Sequence, residues 1–408
     1  MKIKPISLLS LFVLAITTVT ISFARVNHVA LNGSLTTQER MYSPGWWPTK
    51  GDSSAKDYAG EAACVKCHGD ISTLQNTTPM YHAGALAMRS PILEQHPSLS
   101  FREGDYTYSL EKTQSGVLYS VSDGVKSESS LVAWAFGNGE IGQTYLLKKN
   151  DRYVESRLSY YTAPNALDIT TGHSEKVPAG LQEALGHELS FDTAQRCFSC
   201  HTTMAVTSGF FEPDKAVPGI TCEACHGPGA RHVAAMSKGH ERQAAATITN
   251  PASLSPVESV DFCGACHRTS SDVTVFMGAN PGLIAVRFQP YRLEKSRCWG
   301  KAGDVRITCI ACHDPHKPLV REIGAYDAKC LTCHRSTGQA QRGATATACK
   351  VSTNNCASCH MPRYEIPQTH AFFTDHYIRI VPTNILSHNK PDQSVPEPNM
   401  DEHQNGAR

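Results

Sequence analysis

Apolar and polar positions follow different patterns in different parts of the chain. A basic start, M-K-I-K, leads into a largely apolar stretch over residues 6–23 and a small-x-small site at 22–24. This reads as a secretory leader cleaved after Ala24; the alternative is an uncleaved anchor, since the run is about long enough to cross a bilayer. Between 100 and 162 the pattern becomes short β-rich runs. They are Y-T-Y-S-L at 106–110, V-L-Y-S-V at 117–121, V-A-W-A-F at 132–136, Q-T-Y-L-L at 143–147 and Y-V-E-S-R at 153–157. Breaks such as G-N-G at 137–139 and K-N-D at 149–151 separate them, so a small antiparallel β insert is predicted. Residues 79–88 suit a short helix. No stretch after the leader is long and apolar enough to span a bilayer. Trp46 and Trp47 lie in a turn-rich extension, either packed on the body or serving as a docking arm. From 385 onward Pro, Asn, Gln and Asp dominate, which predicts a mobile tail.

Cysteine spacing changes this picture. C-x-x-C-H occurs at Cys64, Cys67, His68; Cys197, Cys200, His201; Cys222, Cys225, His226; and Cys263, Cys266, His267. It recurs at Cys309, Cys312, His313; Cys330, Cys333, His334; and Cys356, Cys359, His360. These seven copies use fourteen of the sixteen cysteines. Such pairs also suit zinc, and in an exported chain they suit disulfides. Neither alternative explains a histidine directly after every pair. The unit is the attachment signature of haem c: two thiols for the vinyl groups and a proximal histidine for the iron. Seven covalently attached haem c groups are therefore expected. Their attachment takes place on the exported side of a bacterial membrane, in agreement with the leader. The periplasm is the expected location, with the cell surface as an alternative.

Without the leader about 384 residues remain, roughly 55 per motif, where an ordinary domain takes about 100–200. Porphyrins would then supply much of the buried apolar surface. The expected fold class is mainly α with long ordered loops, organised around stacked haems, with a small β insert between the first two motifs. The expected division is a leader at 1–24, an extension at 25–57, a first haem unit at 58–99, the β-rich insert at 100–165, a six-haem domain at 166–384 and a tail at 385–408. The strand-rich stretch at 100–162 holds no cysteine or histidine, so it is read as scaffold or partner surface without metal. A formal net charge of +1 makes no case for nucleic-acid binding.

Histidines outside the motifs are candidates for the second axial position. His316 follows His313 in C-I-A-C-H-D-P-H. Residues 313–316 span only about 10 Å when extended, too short to round a porphyrin, so His316 would bind a neighbouring haem. His232 follows a glycine–proline turn that can redirect the chain. His82 lies in the 79–88 segment, where Met80 and Met88 are thioether rivals. His370 and His376 stand six apart in H-A-F-F-T-D-H, whereas His388 and His403 in the tail are poor candidates. The leftover cysteines, Cys298 and Cys349, each precede a motif. An oxidising compartment favours a disulfide between them; free thiols or thiolate ligation are the alternatives.

C-E-A-C-H-G-P-G followed by His232, C-x-x-C-H-D-P-H, and C-A-S-C-H-M-P with the later H-x-x-F-T-D-H resemble multihaem c-type cytochromes of the cytochrome c-554-like group. The resemblance covers residues 58–380 apart from the insert, and it is specific for class rather than reaction. It implies closely packed haems, many with two axial histidines, in periplasmic or surface electron transfer. It supports His82, His232, His316, His370 and His376 as distal ligands and adds His173, with His187 as its rival. No C-x-x-C-K of the pentahaem nitrite reductases occurs, and no tyrosine can be matched to the cross-linked one of hydroxylamine oxidoreductases.

Three functions follow. The leading one is a heptahaem carrier passing single electrons between redox partner proteins, or membrane quinol and cytochrome systems, with no residue acting as acid, base or nucleophile. The second is an oxidoreductase acting on a small nitrogen or sulfur compound at one five-coordinate haem; Arg231, Lys295 or Arg297 are candidates to bind the anion, although as propionate partners or solvated side chains they fit the usual exposure of basic residues better. The third is a self-associating subunit of a conductive filament.

Overall fold

The computed structural model describes residues 54–207, 210–278, 281–296, 298–299, 307–332, 334, 349 and 351–381. The expected leader, Trp46, Trp47, Arg297, Cys333 and the expected tail lie outside the described residues.

Nine strands form one antiparallel sheet. They are β1 (Gly84–Leu86), β2 (Ser98–Glu103), β3 (Tyr106–Lys112), β4 (Val117–Ser122), β5 (Ser127–Phe136), β6 (Gly142–Lys149), β7 (Arg152–Tyr161), β8 (Ala166–Ile169) and β9 (Gly186–Glu188). β2 to β8 pair in chain order, while β1 adds to β5 and β9 to β7. The expected five runs each lie within one of β3 to β7. Alternation explains the inner face: Tyr108 and Leu110 on β3, then Val117, Tyr119 and Val121 on β4, are buried at every second position. Together with Tyr145, Leu147, Leu158 and Leu167 they make one apolar core.

β2 lies beside β8, so the sheet nearly closes into a barrel. Arg157 is buried in it at 2% side-chain exposure and paired with Glu103. Its Nε donates to Glu103 Oε2 at 2.7 Å, and its Nη2 donates to the carbonyls of Ser174 at 3.1 Å and Lys176 at 2.9 Å. Tyr108 donates to the same carboxylate at 3.1 Å. A guanidinium is held in such a core only when its charge and donors are answered this fully.

This sheet overturns the expected fold class, since a nearly closed nine-stranded sheet is neither a small insert nor a minor part of a mainly α chain. Two physical reasons hid it. Three-residue β1 and β9 are too short to show a period. β7 is buried over almost its whole length, because both of its faces are covered, so it shows little alternation. The barrel also has a protein core of its own, which porphyrins need not supply.

Covering the outer face of β5 to β7 brings in the helix of the second motif. Trp134, Phe136, Leu146 and Tyr153 pack against Phe198, the residue directly after Cys197. Each motif begins on a helical segment: α1 (Glu61–Gln75), α2 (Phe191–His201), α3 (Cys222–His226), α4 (Pro256–His267), α5 (Cys309–Cys312), α6 (Asp327–Leu331) and α7 (Cys356–His360). Caps fix where the longer ones start. The Ser190 hydroxyl accepts the Thr193 N–H at 3.2 Å at the head of α2. At α4, Ser255 and Glu258 exchange reciprocal bonds, so both helices run up to their motif histidines, His201 and His267.

Candidate haem-binding site

A helical turn places two cysteines three positions apart on one face, with the histidine next in line. Three motif histidines have a fixed orientation. His201 Nδ1 donates to the Ala83 carbonyl at 2.7 Å, His226 Nδ1 to that of Thr249 at 2.9 Å, and His360 Nδ1 to that of Arg379 at 2.8 Å. A proton held on Nδ1 leaves the Nε2 lone pair for a metal. Burial lowers the pKa of His226, His267 and His313, which keeps these rings in the neutral, metal-binding form. His267 is exposed although desolvation lowers its pKa. Val65 and Ile310, each between two paired cysteines, are exposed, as are Ile71 and Leu74 on α1. Thiols, neutral imidazole and uncovered apolar side chains together fit a covalently held porphyrin.

The distal candidates separate by what their ring nitrogens do. With metal–nitrogen bonds of about 2 Å on each side, two imidazoles sharing one iron have ring centroids roughly 6 Å apart. His316 lies 5.9 Å from His226 with nearly parallel planes, and His376 lies 6.2 Å from His313. His376 Nδ1 donates to the Thr374 carbonyl at 3.0 Å, and burial depresses its pKa to about 4. His232 Nδ1 likewise donates to Ala244 at 3.0 Å. The others use Nε2 within the protein. His82 Nε2 bonds the Asn76 carbonyl at 2.8 Å, His173 Nε2 the Glu155 carboxylate at 3.0 Å, and His370 Nε2 the Asp168 carboxylate at 2.9 Å. Iron ligation through Nε2 would require these bonds to be exchanged. His187 is exposed, 6.4 Å from the His173 ring.

The motifs themselves touch. The Cys64 and Cys222 thiols share a hydrogen bond that raises the pKa of the first and lowers that of the second. Cys263 and Cys309 share another, with the same pair of directions. Cys330 and Cys356 share a third. Cys200 Sγ lies 3.6 Å from the Ala265 carbonyl, which sets α2 against α4.

Carboxylates stitch these junctions. Glu223, inside the third motif and buried, accepts the N–H groups of Ala59 at 2.8 Å, Gly60 at 2.9 Å and Gly229 at 2.7 Å. That ties the start of α1 to α3. Asp327 accepts the N–H groups of Asn355 at 2.7 Å and Cys356 at 2.8 Å, tying α6 to α7. Asp375, beside His376, is fully buried. It accepts Arg292 Nε at 2.7 Å and Nη2 at 2.8 Å, Arg379 Nη1 at 2.7 Å and the Tyr377 N–H at 3.0 Å. None of these partners is close in sequence except Gly229 and those within 375–379, so residue patterns alone do not reveal them.

Cys349 is exposed, whereas Cys298 is half-buried and acts on Cys312 of the fifth motif. Of the cations weighed as anion ligands, Lys295 is stacked 4.1 Å over the Tyr291 ring and Arg231 is exposed.

Residues 159–227, which include the second and third motifs, match the model of a family described as cytochrome c554 and c-prime. No curated protein matches the chain. The crystal structure of the outer cell wall cytochrome OcwA is similar over 80% of each chain, at 15% identity and a TM-score of 0.44.

Proposed function

We propose that this multihaem c-type cytochrome carries seven haem c groups, one on each C-x-x-C-H motif, and passes single electrons through them between exported redox partners. The observation that carries the reading is the direct packing of motif on motif: first on third, second on fourth, fourth on fifth, sixth on seventh. When bound, each haem supplies an iron that alternates between ferric and ferrous states. The chain's own residues hold and orient. Fourteen cysteines anchor the porphyrins, and Ala83, Thr249 and Arg379 carbonyls fix the proximal rings. His316 would hold an iron together with His226, and His376 would do so with His313, as their ring spacings support. Such crossed ligands tether one haem site to the next, and bis-histidine coordination favours low potentials. Redox proteins or membrane quinol and cytochrome systems are the partners this function calls for, in the periplasm or at the cell surface.

Electron paramagnetic resonance of the oxidised protein tests the coordination. Most irons should be low-spin, and His316→Ala and His376→Ala should each convert one haem to high-spin while covalent attachment persists. A dominant high-spin signal in the unsubstituted protein that responds to nitrite, hydroxylamine or sulfite would instead favour an oxidoreductase.

A further inference from the structure

We propose that Arg287, with Arg268 and Arg196, forms a partly buried anion site that holds the propionate carboxylates of the haem on the fourth motif. The proposal rests on the seven-haem reading above. Three elements converge here. The Cys200 Sγ contact with Ala265 sets the end of α2, which contains Arg196, against the end of α4. Arg268 directly follows His267, and its carbonyl accepts the Tyr291 N–H at 3.1 Å. That bond sets it against the segment around Arg287, where Val273, Ala285 and Tyr291 share an apolar cluster. Arg196 is repelled by Arg268 but attracted by Asp192 and Asp272, whereas Arg287 is repelled by Arg268 with no carboxylate acting on it.

Arg287 is partly buried and among the described residues makes no hydrogen bond or ion pair; its guanidinium lies 5.8 Å from the Phe288 ring. Burial, opposed by Tyr161 and aided by Arg268, lowers its pKa. A shielded guanidinium with no carboxylate is costly, and native folds pair or neutralise such charges. Arg268 adds a second sign. It holds φ at +68°, a conformation that a non-glycine residue keeps only where its surroundings impose it. A fork of guanidinium donors is matched to carboxylate oxygens. The acid groups that a haem on the fourth motif would bring beside His267 are its two propionates. A free oxyanion has the same chemistry and is the rival source.

The test compares wild-type and Arg287→Gln holoprotein, with haem content checked by peptide mapping. Visible-spectrum potentiometry is the readout. A cation beside a haem favours the ferrous state, which carries one positive charge less. One haem in Arg287→Gln should therefore titrate at lower potential, while the others stay put and Arg287→Lys recovers most of the shift. Should Arg287→Gln not mature fully, Arg268→Gln should lower the potential of the same haem. Full haem content with unchanged potentials in these variants would overturn the proposal. So would a saturable response of the wild type to sulfate or nitrite that Arg287→Gln abolishes, because a free oxyanion would then occupy the site. A wild type lacking haem on the fourth motif would instead overturn the seven-haem reading, and this inference with it.

Discussion

Asp375→Asn should release His376 from its place opposite His313 without touching either ring. Asp375 is fully buried, and Arg292 and Arg379 are mostly buried, with side chains 17% and 22% exposed. The substitution keeps the shape but removes the charge, and it turns an NH2 group toward one or both guanidiniums. Breaking one side of a buried ion pair costs about 3–5 kcal/mol. Local opening of the turn should then rise roughly 10²–10⁴-fold. Other ties remain, since Ser296 donates to the His376 carbonyl at 2.9 Å and receives the Ile378 N–H at 2.8 Å. The oxidised holoprotein should therefore show one additional high-spin haem in paramagnetic resonance, with all haems still attached. Arg292→Gln with Asp375→Asn should cost less than the two separate losses combined, as coupled partners do. The same carboxylate sets an acid limit. Burial alone would raise its pKa, but Arg292, the Tyr377 N–H and Arg379 outweigh it and hold the value low. Its contribution is therefore present above the ordinary value of about 3.9 and is lost as pH falls through the lower folded value. An unchanged spin state and an unchanged unfolding midpoint in Asp375→Asn would refute the positioning role.

Two further predictions concern the scaffold. Arg157→Met should destabilise the barrel by about 3–5 kcal/mol in denaturant unfolding, and adding Glu103→Gln should restore part of the loss, because the stranded carboxylate is the larger penalty. Equal instability of single and double variants would contradict this. Gly219 sits at φ +72°, and a Cβ there would fall 1.8 Å from the Tyr81 carbonyl oxygen. Gly219→Ala should thus displace the 79–84 segment that holds His201, lowering the melting temperature and broadening the spectrum of the second-motif haem; a wild-type melting curve would count against that.

Much of the chemistry was legible because it is local. Each attachment motif occupies five residues, and the argument that His316 cannot reach its own haem needs only chain length. The ring pairing of His316 with His226 is in keeping with that geometry. The strands from β3 to β7 were legible for the same reason, since a run rich in β-branched and aromatic residues bounded by turn residues shows within a few neighbours. Closure of β2 on β8 was not, nor the docking of Phe198 on Trp134 and Phe136. The stitches were equally hidden: Glu223 meets Gly60 across 163 residues, and Arg292 meets Asp375 across 83. The Nε2 contacts of His82, His173 and His370 with oxygens of Asn76, Glu155 and Asp168 were hidden as well.

The central claim is a stack of seven covalent haems on one chain, and intact mass of the denatured holoprotein tests it most directly. After expression with a complete maturation system, the mass should equal the processed polypeptide plus seven haems, and pyridine haemochrome absorbance should give the same count. A mass corresponding to three or four haems would contradict the account.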